Sequence, residues 1–269
     1  MCVQSSHERL RVAFSKKCGL TSTVPNFKVV NGHQPNISYP WFAALKPDLK
    51  QFPMCGGSLI TNQHVLTAAH CFDYYKKEDY WKNQYTILLE VPQLVKPSPI
   101  TEEHKAERVI VHQAYHPHNI NNGNNFENGD IAVIMLKRKT KKTPICMPLN
   151  HQRPQYGLVV GYGATDEKTR KQPNTLMEVQ VNILEGKECL QTKLRETIKE
   201  DIVCIRGQSG SYCFGDSGGP LQSRDTDGRY IITGIISFAR GCKPPNIIGA
   251  CTLIQYHLDW ITTQIQKYL

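Results

Sequence analysis

Three short stretches of this chain carry residues that could do chemistry together. A serine lies in Cys213-Phe214-Gly215-Asp216-Ser217-Gly218-Gly219-Pro220, a histidine in Leu66-Thr67-Ala68-Ala69-His70-Cys71, and an aspartate in Gly129-Asp130-Ile131-Ala132-Val133. A serine hydroxyl is a weak nucleophile until a base takes its proton, and an imidazole suits that task when a carboxylate holds it in the right tautomer. Ser217, His70 and Asp130 are the candidates for those three roles. Attack on an acyl carbon places negative charge on the carbonyl oxygen, which fixed backbone donors stabilise better than a side chain that must reorient. The N–H groups of Gly215 and Ser217 are the candidate oxyanion hole. Glycines at 215, 218 and 219 fit a loop that turns sharply and lets another backbone approach.

Residues so far apart in sequence need a framework that brings them together. Short apolar runs, among them Val109 to Val111, Ile131 to Leu136, Leu158 to Gly161, Leu176 to Ile183 and Tyr230 to Phe238, are bounded by Gly, Pro and Asn clusters and predict many strands. The C-terminus differs. Leu258, Ile261, Ile265 and Leu269 recur at spacings of three and four, which predicts one face of a terminal helix. A chain of 269 residues, 40% of them hydrophobic, can bury a sizeable core, and no internal repeat divides it. No run reaches the about 18 apolar residues of a membrane-crossing helix.

The order His, Asp, Ser separates this chain from the subtilisin and α/β-hydrolase arrangements. From Cys18 to the C-terminus it resembles the trypsin/chymotrypsin family of serine endopeptidases, in zymogen form. The likeness is carried by the three stretches above and by Val29-Val30-Asn31-Gly32, Pro40-Trp41-Phe42-Ala43-Ala44-Leu45, Cys55-Gly56-Gly57-Ser58-Leu59-Ile60, Gly161-Tyr162-Gly163 and Ser237-Phe238-Ala239-Arg240-Gly241-Cys242. Each is weak alone, and their joint order is what makes the case. The resemblance implies an all-β fold of two antiparallel six-stranded barrels with a C-terminal α-helix. The barrels meet near Asn150, with His70 and Asp130 on the first and Ser217 on the second. It also implies disulfides joining Cys18 with Cys146, Cys55 with Cys71, Cys189 with Cys204, and Cys213 with Cys242. Cys2 and Cys251 are left over. Gly157 and Ser223 stand where a further family bridge would have both its cysteines.

Residues 1–28 read as an activation segment and 29–269 as the protease domain. Lys28 offers a basic cleavage site, and in the family the new α-amine of the residue at Val29 pairs with the carboxylate beside the nucleophile, here Asp216. The Cys18–Cys146 bridge would keep the cut segment attached. The competing reading makes Lys28 an ordinary loop lysine. Counting back from Ser217, Ser211 falls at the floor of the primary pocket, where trypsin-like members carry an aspartate. Without that charge the pocket favours an uncharged, apolar P1 residue, because an unpaired substrate cation is costly to desolvate. Ser237, Ala239 and Gly249 are the candidate walls, and Cys251 takes a wall position usually held by tyrosine. Tyr212 either fills the volume that Cys251 vacates or blocks the pocket. That oddity keeps a second reading open, a catalytically impaired homologue that serves as a binding module.

Ten cysteines point to an oxidising compartment and so to secretion, although residues 1–17 hold no hydrophobic signal segment. An N-terminus that continues upstream is the expectation that reconciles the two. Asn36-Ile37-Ser38 is then a glycosylation sequon. The formal charge of +9 and the cluster Lys137, Arg138, Lys139, Lys141 and Lys142 suit either a solvated loop or a polyanion site. His112, His116 and His118 lack the cysteine or carboxylate pattern of a zinc site, and the region from Glu90 to Glu107 does not commit to calcium. The expected partners are protein or peptide substrates, a trypsin-like activating protease upstream and protein inhibitors. No cofactor, metal, nucleic acid or membrane span is expected.

Overall fold

A computed structural model describes residues 17–23, 37–73, 85–95, 98–116, 129–148, 154–166, 168–184, 186–190, 200–207, 213–240 and 248–267. A short pairing of β1 (Ser22–Thr23) with β2 (Ile37–Ser38) precedes two curved sheets. The first holds β3 (Phe42–Pro47), β4 (Cys55–Leu59), β5 (His64–Thr67), β6 (Tyr85–Leu89), β7 (Glu102–His104), β8 (Ala106–Val111) and β9 (Ala132–Leu136). The second is a closed antiparallel barrel of β10 (Tyr156–Gly161), β11 (Met177–Leu184), β12 (Ile202–Gly207), β13 (Pro220–Arg224), β14 (Tyr230–Arg240) and β15 (Ile248–Leu253).

The first sheet runs β7-β6-β3-β4-β5-β9-β8, so β7 and β8 are its two edges. Only Lys105 separates them in sequence. The sheet therefore curls until one bent strand, 102–111, serves both edges, with a register shift between Ala106 and Arg108 at the bend. Counted that way it is six-stranded and barrel-like. Bends of this kind let a sheet approach closure without a flat edge.

Strands buried on both faces explain the runs of unbroken apolar sequence. In β9, Ala132, Val133, Ile134 and Leu136 are essentially inaccessible to water. The larger core gathers round Trp41, Phe42, Leu45, Leu66, Leu89 and Ile131 and reaches into the other half through Ile232, Ile235 and Ile261. Polar bridges fasten the two halves where that core crosses. Trp41 Nε1 donates to Gln222 Oε1 at 2.9 Å, and the Tyr39 hydroxyl donates to Glu178 at 2.6 Å.

Among the described residues two α-helices complete the fold, α1 (Gly186–Leu190) and α2 (Leu258–Lys267). The terminal helix buries Ile261 and Ile265, and its Asp259 and Lys267 lie at the ends that the helix dipole favours. Leu269 lies outside the described residues. Disulfides join Cys18 to Cys146, Cys55 to Cys71 and Cys189 to Cys204. Cys213 is also disulfide-bonded, and Cys242 lies outside the described residues.

Candidate active site

His70 sits in a short turn, Ala69–Phe72, at the end of β5. Ala68 and Ala69 are fully buried, so small residues let the turn lie flat against the sheet. Its ring is held from behind: Nδ1 lies 2.8 Å from Asp130 Oδ2, and its backbone N–H donates to Asp130 Oδ1 at 3.0 Å. The Ser237 hydroxyl donates to the same Oδ2 at 2.5 Å. Burial alone would make the Asp130 carboxyl hard to ionise, but the charge and hydrogen bonds of His70, with the Ser237 hydroxyl, hold it down at about 2. Burial likewise opposes a charge on His70, and the Asp130 carboxylate outweighs it, so the imidazole titrates above its ordinary value.

Asp130 is aimed by the residue before it. Gly129 adopts φ +79°, a left-handed conformation that glycine takes without strain, and a Cβ there would lie 2.6 Å from His112 Nδ1. The Gly129 N–H donates to Asp201 Oδ2 at 3.0 Å, and His257 Nε2 lies 3.0 Å from the same oxygen. His112 packs edge-on against His257 and Trp260. Its place is thus structural, as a wall behind the Asp130 turn. The Asp130 carbonyl accepts from the Thr252 hydroxyl at 3.1 Å, which ties the turn to the second barrel.

The serine comes from a compact loop. Asp216 N–H donates to Cys213 O, Gly219 N–H to Asp216 O and Gly218 N–H to Ile236 O, all within 3.1 Å. Gly215 and Gly218 take φ +103° and +79°. The loop docks on the first barrel backbone to backbone, with Gly56 N–H donating to Ser217 O at 2.7 Å, and within that barrel Thr67 Oγ1 steadies Gly56 by donating to its carbonyl at 2.7 Å. Neither Gly56 nor Gly218 has room for a side chain, since a Cβ on Gly56 would lie 2.9 Å from Gly219 Cα and one on Gly218 2.2 Å from Thr67 Oγ1. The Ser217 hydroxyl makes a long contact of 3.5 Å to the Ser237 carbonyl. Ser237 therefore touches both Ser217 and Asp130. Among the described residues, the N–H groups of Gly215 and Ser217 meet no acceptor.

Asp216 points the other way. Its carboxylate accepts from Gly163 N–H at 2.7 Å and Cys213 N–H at 2.9 Å. It is buried, and no basic side chain among the described residues faces it. Burial raises it to about 6 despite the two backbone donors. The glycines of Gly161-Tyr162-Gly163 gain their reason here, because Asp216 fills the space that side chains would need: a Cβ on Gly163 would come 1.9 Å from Oδ2.

Of the pocket residues, Ser237, Ala239 and Gly249 are described, with Ala239 and Gly249 opposite one another across β14 and β15. Ser211 and Tyr212 lie outside the described residues, as do Lys28, Val29 and Asn36. Cys251, read from the sequence as a pocket wall, is a fully buried free thiol inside the second barrel's core, among Val159, Val181, Val203, Leu221 and Ile236. Burial pushes its thiol far above the ordinary range. Of the basic cluster, Lys137, Arg138, Lys139 and Lys141 are exposed, whereas Lys142 turns inward onto Glu90 at 2.5 Å. Cys55, His70 and Cys71 lie close enough to suggest a metal site, but both sulfurs are spent in a disulfide. Sequence reasoning missed Thr252, Asp201 and His257. Nothing local marks them, because Thr252 reaches Asp130 across 122 residues, Asp201 reaches Gly129 across 72, and His257 reaches Asp201 across 56.

Two packed β-barrels, with an aspartate–histidine pair on one and a serine loop from the other laid across the seam, form the architecture of the chymotrypsin-type serine proteases. The sequence match agrees with the geometry. The chain belongs to the trypsin family, which it matches over residues 29–261. It is 30% identical to phenoloxidase-activating factor 3 of Holotrichia diomphalia, over 93% of this chain and 75% of that protein. It is also 30% identical to CLIP domain-containing serine protease B15 of Anopheles gambiae, over 86% of this chain and 68% of that protein. Against transmembrane protease serine 11G of Mus musculus the identity is 29%, over 92% of this chain and 58% of that protein. The chain is a serine-type endopeptidase. Among the described residues no helix is long and apolar enough to cross a membrane.

Proposed function

We propose that the chain is an extracellular endopeptidase that works through an acyl-enzyme on Ser217 and is switched on by cleavage after Lys28. His70 takes the Ser217 proton at Nε2 as Oγ attacks the peptide carbonyl carbon. Asp130 keeps the other ring nitrogen protonated and stabilises the imidazolium, and the oxyanion lies against the N–H groups of Gly215 and Ser217. The imidazolium then gives its proton to the departing amine, and water repeats the sequence to free the acid. The observation that carries this reading is the Asp130–His70 pair at 2.8 Å, set against a loop whose two oxyanion donors meet no acceptor among the described residues.

The activation reading is supported by Asp216, a buried carboxylate between those two donors whose partners among the described residues are backbone N–H groups. An ammonium group brought to it, as the freed Val29 amine would be, relieves the cost of burying its charge. Residues 1–28 are then a pro-segment held by the Cys18–Cys146 bridge, and 29–269 the working domain. The disulfides support an oxidising, extracellular setting, in which Asn36 is open to glycosylation. Ser211 supports a preference for uncharged P1 residues. The enzyme then cannot readily cut after its own Lys28 and depends on a separate trypsin-like protease.

The test is reaction with a serine-directed phosphonate before and after trypsin treatment, in the natural chain and in Lys28→Gln and Ser217→Ala variants. Labelling only after cleavage, lost in both variants, is the expected result. Equal labelling of the uncut chain would refute activation at Lys28, and no labelling of either form would favour a binding module.

A further inference from the structure

Gln172 stands behind the serine loop without reaching any reacting atom. Its amide nitrogen uses both hydrogens, donating to the carbonyls of Pro53 and Tyr162 at 2.9 Å each. The Tyr162 carbonyl and the Gly163 N–H belong to one peptide unit, and that N–H donates to Asp216 at 2.7 Å. A peptide unit is planar and stiff, so holding its oxygen fixes where its N–H points. The same nitrogen fills the space beside Gly215, where a Cβ would come within 2.5 Å of it.

A second peptide unit is held the same way one residue along. Ala164 N–H donates to the Phe214 carbonyl at 2.8 Å, and the other end of that unit is the N–H of Gly215. The segment that supplies these contacts closes on itself. Thr165 N–H donates to Lys171 O, Arg170 N–H to Asp166 O, and the Asp166 carboxylate gathers the N–H groups of Lys168 and Thr169. The Arg170 guanidinium covers the half-exposed Phe214 ring at 4.5 Å.

We propose that Gln172 is a positioning residue for the oxyanion hole, acting on Asp216 through the 162–163 peptide and on Gly215 by direct contact. The inference rests on the reading of Gly215 and Ser217 as the oxyanion donors. Gln172→Glu keeps the shape but sets a carboxylate oxygen against two carbonyls, and Gln172→Ala removes the prop.

Two measurements test it. In the cleaved enzyme, Gln172→Glu should lower kcat by ~10–100-fold, less than loss of a donor itself, and leave KM within about a factor of two. Affinity for a peptide boronate, which presents a tetrahedral oxyanion, should fall in step with kcat, while affinity for the product peptide holds. Unchanged kcat, or equal losses for boronate and product, would overturn the proposal. In the uncut full chain, hydrogen exchange at Gly163 should quicken in Gln172→Ala while the melting temperature stays near that of the natural chain. Unaltered exchange there would overturn it even if the natural chain proved inactive, a result that would by itself count only against the protease mechanism on Ser217.

Discussion

Two buried carboxylates flank Ser217, and the fold treats them in opposite ways. Asp130 faces an imidazole and a hydroxyl, and its carboxyl is held at about 2. Asp216 faces two backbone N–H groups, and burial pushes it up to about 6. Both are equally sealed from water, at 7% and 4% exposure, so burial does not separate them. A partner able to carry positive charge does. The first site is electrostatically complete as it stands, whereas the second is shaped for a charge that none of its described neighbours supplies.

Asp130→Asn should break the complete site most severely. The amide cannot fix the tautomer or stabilise the imidazolium, so kcat for a peptide substrate should fall by about four orders of magnitude with little change in fold. In the natural enzyme the raised His70 value sets the acid limb. His70 must be neutral to act as base, so activity should be lost as pH falls through a midpoint above the ordinary 6.5. In Asp130→Asn that midpoint should drop, which a pH–rate profile would detect.

The incomplete site should show itself in stability. Asp216 binds a proton more tightly in the folded chain than in the unfolded one, where its value is 3.8. Its burial is therefore cheapest below about pH 4. As pH rises towards 6 the uncut chain should lose about 3 kcal/mol, and nothing further above that. Denaturant melts of Lys28→Gln across this window should show the slope, and Asp216→Asn should flatten it. Cleaved enzyme should lose the slope too if the Val29 amine pairs with Asp216. A slope that survives cleavage would separate activation from this carboxylate. Asp130 contributes with the opposite sign, its stabilisation being lost only as pH falls from 3.8 towards 2.

The smallest effect should come from Ser237, which serves the complete site from one side. Ser237→Ala removes one of three hydrogen bonds to the Asp130 carboxylate. A loss of ~1–1.5 kcal/mol is expected, or about a tenfold fall in kcat. A fall as large as that of Asp130→Asn would mean that Ser237, and not His70, holds the carboxylate in place.

Much of this is legible in the sequence. Doubly buried strands write themselves as apolar runs, which is why β9 and β14 stand close to where Ile131 to Leu136 and Tyr230 to Phe238 put them. His70, Asp130 and Ser217 were legible because small or glycine neighbours mark each one. The bend at Lys105 was not, because one strand serving both edges of a sheet leaves no mark in its own alternation. Nor were Gln172 and Asp201, whose side chains answer to backbone groups elsewhere in the chain, or His257, whose ring meets the Asp201 carboxylate, since no spacing reveals such contacts. Cys251 was legible as a thiol left over from the pairings the resemblance implies, and it is a free, fully buried one. Its packing against Val159, Leu221 and Ile236 was not, because those residues come from three other strands.

The seam at Gly56 has a consequence for how this molecule can change over time. Where the serine loop meets the first barrel, main chain lies on main chain, with no side chain between Gly56 and Gly219. Alignment of the two halves of the machinery is thus insulated from the rotamers and volumes of the cores on either side. Those cores can drift in composition, losing or gaining stability, while the distance across the seam stays put. The glycines cannot drift. A methyl group at Gly56 would push the seam open whatever the cores on either side contained.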